Sequence, residues 1–409
     1  MKVLQVNCVY RKGSTGKITA DIHEELLRQG VESVVCYGRG AVIAEPHVYK
    51  TCGELYSKVN NALTRFNGVM YGGCRLSTRK LVSVIEKEQP DVVHLQCING
   101  YFVNIYRLIQ WLKEHHVKTV VTLHAEFMFT GSCGYALDCE RWQTGCGNCP
   151  RLKAETGTLF RDGTAESWQR MKAAFDGFEK DCMVTSVSPW LMERAKESPI
   201  LNNLRHRTVF NGINTQVFRP WDTAELRNQH SLSADDPVVF HATAHFSADP
   251  NHIKGGSRVL EMAKRLPEVR FFVAGECDPG MTVPENVTLL GRLSDQTALA
   301  RYYAMANVTL LASRKETFSM IVAESICCGT PIAAMKAGGP ESIALPEYSA
   351  FVEQDDLDGL ELLLRETLGA VPDRTAIAEA GATAYSSQAM CAAYQEVYRI
   401  LLGENRSCH

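Results

Sequence analysis

No window of the sequence approaches the roughly 18 uninterrupted apolar residues that a helix needs to cross a bilayer, which excludes a membrane-spanning helix. Neither sign of charge prevails: 43 Lys and Arg stand against 46 Asp and Glu, a formal net charge of −3. That balance excludes a basic nucleic-acid binder at the level of the whole chain, and no nucleic-acid partner is expected. There is no short internal repeat and no low-complexity tract. With 45% hydrophobic residues the chain can bury a substantial core, which argues against disorder. Met1-Lys2-Val3-Leu4-Gln5-Val6-Asn7-Cys8-Val9 is too short and too polar for a secretion leader and reads as a first strand. The expected location is the cytoplasm, where thiols stay reduced.

What the sequence does have is alternation. At 409 residues it is long enough for two or three domains. Short apolar runs at Val3–Val9, Ser33–Tyr37, Asp91–Leu95, Thr119–Leu123 and Met183–Ser186 have the length of buried strands. Helical stretches separate them, such as Thr15–Arg28, ended by Gly30, and Ser77–Glu88, ended before Pro90. A second series follows Asn211-Gly212-Ile213-Asn214, with predicted strands at Val238–His241, Val269–Ala274, Val287–Leu290, Val308–Leu311 and Pro331–Ala334. Helices are predicted between these at Gly256–Arg265, Asp295–Ala306 and Thr317–Cys328, with Leu357–Leu368 and Gln388–Leu402 closing the chain. Strand–helix alternation means parallel sheets with crossover helices. The pattern predicts two doubly wound α/β domains, and ligands in such sheets sit beyond the carboxyl ends of the strands. The expected divisions are 1–214, with a cysteine-rich insertion at 130–150, then 215–387, then a helix in 388–409 that packs back on the N-terminal domain.

Gly13-Ser14-Thr15-Gly16-Lys17 resembles a nucleotide-triphosphate loop but fails it twice, at Arg11 and at Ile18. What survives is either an ordinary tight turn or a turn whose free N–H groups hold an anion at Gly13 and Gly16. Glu316-Thr317-Phe318-Ser319-Met320-Ile321-Val322-Ala323-Glu324 is more informative. Its two carboxylates are a little over two helical turns apart, so both can lie on one face, and on spacing alone a solvated Glu and a helix-face Glu are the plainer reading. A carboxylate suits paired sugar hydroxyls, and first-turn N–H groups at Phe318, Ser319 and Met320 suit a phosphate.

Glu316 to Glu324 resembles the E-x7-E motif of the retaining glycosyltransferases of family 4, which have the GT-B fold. Asp91-Val92-Val93-His94-Leu95-Gln96, Asn99-Gly100-Tyr101-Phe102-Val103-Asn104, Thr122-Leu123-His124 and Thr130-Gly131-Ser132-Cys133 resemble the exopolysaccharide and colanic-acid-type branch. Asn211-Gly212-Ile213-Asn214 is similar to the family's interdomain segment, and Lys254-Gly255-Gly256 to its donor-phosphate Lys-Gly. The resemblance implies two Rossmann-like domains facing a central cleft. It implies a sugar moved, with retention and without a catalytic metal, from a UDP- or GDP-linked donor to a glycan or polyprenyl-linked acceptor in surface polysaccharide synthesis. It further implies that Glu324 binds the ribose, Glu316 the sugar hydroxyls and Lys254 the diphosphate. Thr317, Phe318, Ser319, Met320 and the Gly13–Gly16 loop would complete the anion cradle, and His124 would touch the sugar. Two positions depart from the pattern: Ile253 stands where a basic residue is usual, with Arg258, His245 or His252 as substitutes, and Ala125 stands where Asp is common. Two other readings are a catalytically silent sugar-nucleotide sensor or scaffold, against which Glu316, Glu324 and Lys254 speak, and a sugar-nucleotide epimerase, which would turn over donor without acceptor.

Fifteen cysteines is a high and odd count, and Cys133, Cys139, Cys146 and Cys149 crowd together around Trp142. A structural tetrahedral zinc, a reduced metal-free loop and a pair of disulfides are the three readings. The related exopolysaccharide enzymes share this cysteine pattern, which implies a structural role. In the stretch 50–80, Lys50, Lys58, Arg65, Arg75, Arg79 and Lys80 face a single acid, Glu54. Its apolar residues Leu55, Val59, Ala62, Leu63, Phe66, Val69 and Met70 follow helical spacing. This is either a domain helix with a solvated basic face or a patch for anionic lipid at the inner face of the membrane.

Overall fold

The computed structural model describes residues 1–158 and 160–404. Residues 405–409, the end of the expected 388–409 segment, lie outside them. The chain divides into two compact units, residues 1–210 with 390–409, and residues 211–389.

The first unit is built on seven parallel strands: β1 (Lys2–Asn7), β2 (Glu32–Tyr37), β3 (Val48–Lys50), β4 (Val92–Leu95), β5 (Thr119–Leu123), β6 (Cys182–Ser186) and β7 (Arg205–Thr208). Their order is β3-β2-β1-β4-β5-β6-β7. In register, Val3 of β1 lies between Ser33 of β2 and Val92 of β4. Both faces of the sheet are covered, so the central strands are buried nearly end to end. On one face Val3, Val92, Val120 and Met183 pack against Ile18, Ile22 and Leu26 of the first helix, Gly13–Arg28. Met390, Tyr394, Val397, Tyr398 and Leu401 of the C-terminal helix, Ser387–Leu402, join the same cluster.

The second unit has six parallel strands: β8 (Val238–Phe246), β9 (Arg270–Cys277), β10 (Val287–Gly291), β11 (Val308–Leu311), β12 (Ile332–Met335) and β13 (Ser349–Val352). Their order is β10-β9-β8-β11-β12-β13. Its core joins Val239, Val273, Leu310 and Ala333 from the sheet to Val259, Met262 and Ala263 of the helix Gly256–Arg265 and to Leu360 and Leu364 of Leu357–Gly369. Among the described residues no helix is long and apolar enough to cross a membrane.

A buried polar network ties the C-terminal helix to the first sheet. His94 on β4 is fully buried, its Nδ1 2.8 Å from the Tyr398 hydroxyl and its Nε2 2.6 Å from Thr122 Oγ1. Thr122 Oγ1 is in turn 2.6 Å from Thr185 Oγ1 and 3.2 Å from the Tyr394 hydroxyl. A neutral imidazole, one nitrogen donating and one accepting, satisfies this ring, whereas an imidazolium would be stranded without water. Burial accordingly lowers the His94 pKa from 6.5 to about 3. The unfolded chain takes up that proton near its ordinary pKa and the folded chain does not. Stability should therefore fall as pH drops from 6.5 towards about 3. His94 alone predicts a loss of about 1.4 kcal/mol per pH unit in that window. Urea unfolding followed by fluorescence at a series of pH values measures it; a slope unchanged in His94→Gln would contradict the assignment.

Candidate active site

In the second unit the expected residues gather at the carboxyl ends of the strands. After β8 the chain runs through a loop to Lys254 and Gly255 before entering the helix Gly256–Arg265. Gly255 has φ +69°, and a Cβ there would lie 1.9 Å from the Ala312 carbonyl oxygen, so only glycine lets the loop approach the end of β11. The Arg314 amide donates to the Ile253 carbonyl at 2.8 Å and fastens the same approach. Lys254 Nζ consequently stands 2.6 Å from Glu316 Oε1, both side chains largely buried. Two residues expected to serve different parts of a donor are thus already an ion pair.

The motif itself bends before it becomes helical. Glu316 bridges to Gly338, with its N–H on the Ala337 carbonyl at 3.0 Å and its carbonyl taking the Gly339 N–H at 2.9 Å. A Cβ on Gly339 would lie 2.4 Å from the Thr317 carbonyl group, so this crossing also needs glycine. The helix starts only at Met320 and runs to Cys327. Ser319, at its N-cap, has φ 78° and ψ 95°, a conformation that costs a non-glycine residue of order 1–3 kcal/mol. Its hydroxyl is buried and has no hydrogen-bond partner. Thr317 and Phe318 are buried beside it, and Met320 opens the helix. The first-turn N–H groups and the Ser319 hydroxyl form a donor-rich end that suits an anion.

Glu324 lies within that helix. Its Oε2 accepts from the Tyr303 hydroxyl at 3.0 Å. Burial holds the Tyr303 phenol well above its usual pKa, so it stays a donor. Both line an open cavity of about 490 Å³, with Ala242, Gly275, Glu276 and Ile321 among its walls. Arg258 is buried, with its guanidinium on Asp355 and on the Ala312 carbonyl. Arg314, which no motif singled out, is half-exposed, 3.8 Å from Asp355 and beside Ile253. His245 is held by Asp278 at 2.8 Å, with the His252 ring 5.5 Å away. The chain holds one Asp-x-Asp, Asp356-Leu357-Asp358. Asp356 caps the helix Leu357–Gly369, and Asp358 pairs with Arg265 at 2.6 Å.

In the first unit Gly13 (φ +68°) opens the first helix, and a Cβ on Gly16 would lie 3.1 Å from Val9 Cγ2. His124 directly follows β5. Its Nε2 is 3.3 Å from Gln96 Oε1, and the Gln96 amide group donates to Gln5 Oε1 at 2.7 Å. The chain of amides therefore makes Nε2 the protonated nitrogen of His124. Burial lowers its pKa to about 4, so it is neutral at pH 7.

Cys133, Cys139, Cys146 and Cys149 are free thiols lining one cavity of about 20 Å³. No three His, Cys, Asp or Glu side chains among the described residues stand together as a metal-ligand set. As placed, the four thiols are not gathered as a ligand set for a tetrahedral zinc. Burial pushes Cys133 up to about 11 and Cys146 up to about 12. Both should stay protonated and react slowly with maleimide at neutral pH. Mass-spectrometric mapping of the labelled sites, with elemental analysis of the same preparation, checks this. Metal-free protein with fast labelling at both would contradict the burial, and about one zinc per chain would restore the zinc expectation.

Comparison with known proteins matches this organisation. Residues 224–383 match the family model of Glycosyl transferases group 1. WcaC of Escherichia coli (strain K12), named for a colanic acid biosynthesis glycosyl transferase, is 23% identical over 425 residues, covering 98% of this chain and all of WcaC. Sucrose-phosphate synthase from Thermosynechococcus elongatus superposes with a TM-score of 0.66 at 18% identity, over 99% of this chain and 100% of that one. Anabaena HepE in complex with UDP-glucose superposes at 0.62 and 13% identity, over 97% and 99%. The chain thus has the GT-B fold of two parallel-sheet α/β domains, and within it the segment 224–383 is similar to the Glycosyl transferases group 1.

Proposed function

We propose that this chain moves a sugar, with retention at the anomeric carbon, from a UDP- or GDP-linked donor to a glycan or polyprenyl-linked acceptor in surface polysaccharide synthesis. The observation that carries the proposal is the unpartnered, buried Ser319 hydroxyl. It sits at the helix start that lies in sequence between Glu316, paired with Lys254, and Glu324, which lines the cavity. An orphaned buried hydroxyl at a helix start suits an anion that brings its own acceptors. The names of WcaC and of the HepE complex support polysaccharide synthesis and a UDP-sugar respectively.

In this reading Glu324 holds the ribose hydroxyls and keeps Tyr303 as its second partner. The diphosphate lies on the amides of Phe318, Ser319 and Met320 and draws Lys254 from Glu316. Glu316, freed, accepts from hydroxyls of the sugar. Arg314 takes the place of the basic residue missing at Ile253, because Arg258 is already spent on Asp355. As the bond from the anomeric carbon to the diphosphate breaks, negative charge grows on the leaving oxygen. Fixed donors placed there stabilise the transition state more than the ground state. The new bond forms from the acceptor hydroxyl oxygen, and its proton passes to the departing phosphate.

The ion pair gives the two glutamates opposite signatures. Glu324→Gln should weaken binding of free UDP or GDP by about 10-fold or more, because a hydrogen-bonding charge is lost. Glu316→Gln should bind the free nucleotide as tightly as wild type or tighter, because Lys254 is released. It should lower turnover by about 10²-fold, because the sugar is no longer aligned. Calorimetry with the nucleotides and a transfer assay separate the two; near-wild-type values for both variants would contradict the site.

A further inference from the structure

The helix Glu54–Asn67 is mounted inside out. Its buried residues are polar: Ser57, Asn60 and Thr64. Asn60 Oδ1 takes the Cys74 N–H at 2.7 Å, and the Ser57 hydroxyl donates to the Gly100 carbonyl at 3.3 Å. Its outward face is apolar. Leu55 is 76% exposed and Phe66 59%, with Val59 and Leu63 exposed between them, one stripe at intervals of four, four and three residues. Phe160, 79% exposed, extends the stripe by stacking on Phe66 at 6.0 Å between ring centroids. An ordinary surface helix buries such a stripe; a contiguous exposed one marks a docking face.

The charges beside it name the partner. Lys58 and Arg65 lie on the same helix, and Arg75 and Arg79 on the next, Arg75–Glu88. All four are exposed. No carboxylate pairs with any of them among the described residues, whereas nearby Arg39, Arg161 and Arg170 are paired. Glu54, the one acid of the stretch, is itself engaged by Arg39. Exposed large apolar side chains flanked by unpaired cations fit the interface of a bilayer: the apolar stripe enters the acyl boundary while the cations meet anionic headgroups.

We propose that this face docks the chain peripherally on a membrane containing anionic lipid, with Leu55, Val59, Leu63, Phe66 and Phe160 entering the interface. The proposal stands apart from the transfer reaction. Co-sedimentation of the full chain with phosphatidylcholine vesicles containing phosphatidylglycerol tests it. Binding to these vesicles is expected, with little binding to phosphatidylcholine alone and loss at high salt. Leu63→Ser with Phe66→Ser should lower the partition by about tenfold or more. Lys58→Gln with Arg65→Gln should lower it by about tenfold on anionic vesicles only. All four positions are exposed, so unchanged circular dichroism and thermal melting are expected in both variants. No binding, binding unchanged in both variants, or a dimer in light scattering that Phe66→Ser dissociates would each overturn the proposal. None of these results bears on donor binding, which the nucleotide calorimetry measures separately.

Discussion

Parallel strands cannot be joined by a short turn, and the rest of this molecule follows from that constraint. Each connection must cross back over the sheet, so the carboxyl ends of all strands in a sheet share one edge, and the following helices begin there. In the second unit the edge collects Lys254 after β8, Glu316 after β11 and Gly338 after β12. In the first it collects Gly13 after β1 and His124 after β5. Polar residues at those positions need no separate explanation for being near one another. What needs explaining is their local geometry, and there two glycines decide: Gly255 lets the lysine loop reach β11, and Gly339 lets the loop after β12 cross Thr317.

The result is a cluster of charged groups that mostly satisfy one another. Lys254 and Glu316 satisfy each other, Arg258 and Asp355 do the same nearby, and Tyr303 holds Glu324. Only the Ser319 hydroxyl among these groups is buried with no partner. Its backbone is also strained. Strain and an unmet donor at one residue agree with the anion site proposed above.

Much of the fold was legible in the sequence because fully buried parallel strands are short continuous apolar runs. Thr119–Leu123 and Val308–Leu311 match in full, and most others shift by one or two residues. The edge strands β3, β7 and β13 were not legible: they are short, and β7 reads Arg-His-Arg-Thr. The motif helix starts at Met320 and not at Thr317 because the bridge from Glu316 to Gly338 holds the chain extended first, a contact between residues far apart in sequence. Pairing of Lys254 with Glu316, and of Arg258 with Asp355, is invisible for the same reason. Periodicity also gives the stripe on Glu54–Asn67 without its direction; the polar contacts of Ser57 and Asn60 turn it outward.

The central claim is that the donor nucleotide is held by the end of the 316–324 motif and the cavity beside it. Amide hydrogen exchange of the whole chain, with and without UDP or GDP, addresses it directly. The account predicts protection by one of these nucleotides at residues 317–321 and at the strand segments 242–244 and 274–276, around the cavity that Glu324 lines. Protection confined to the loop before the first helix, or no protection at 317–321 with a nucleotide shown to bind, would contradict it.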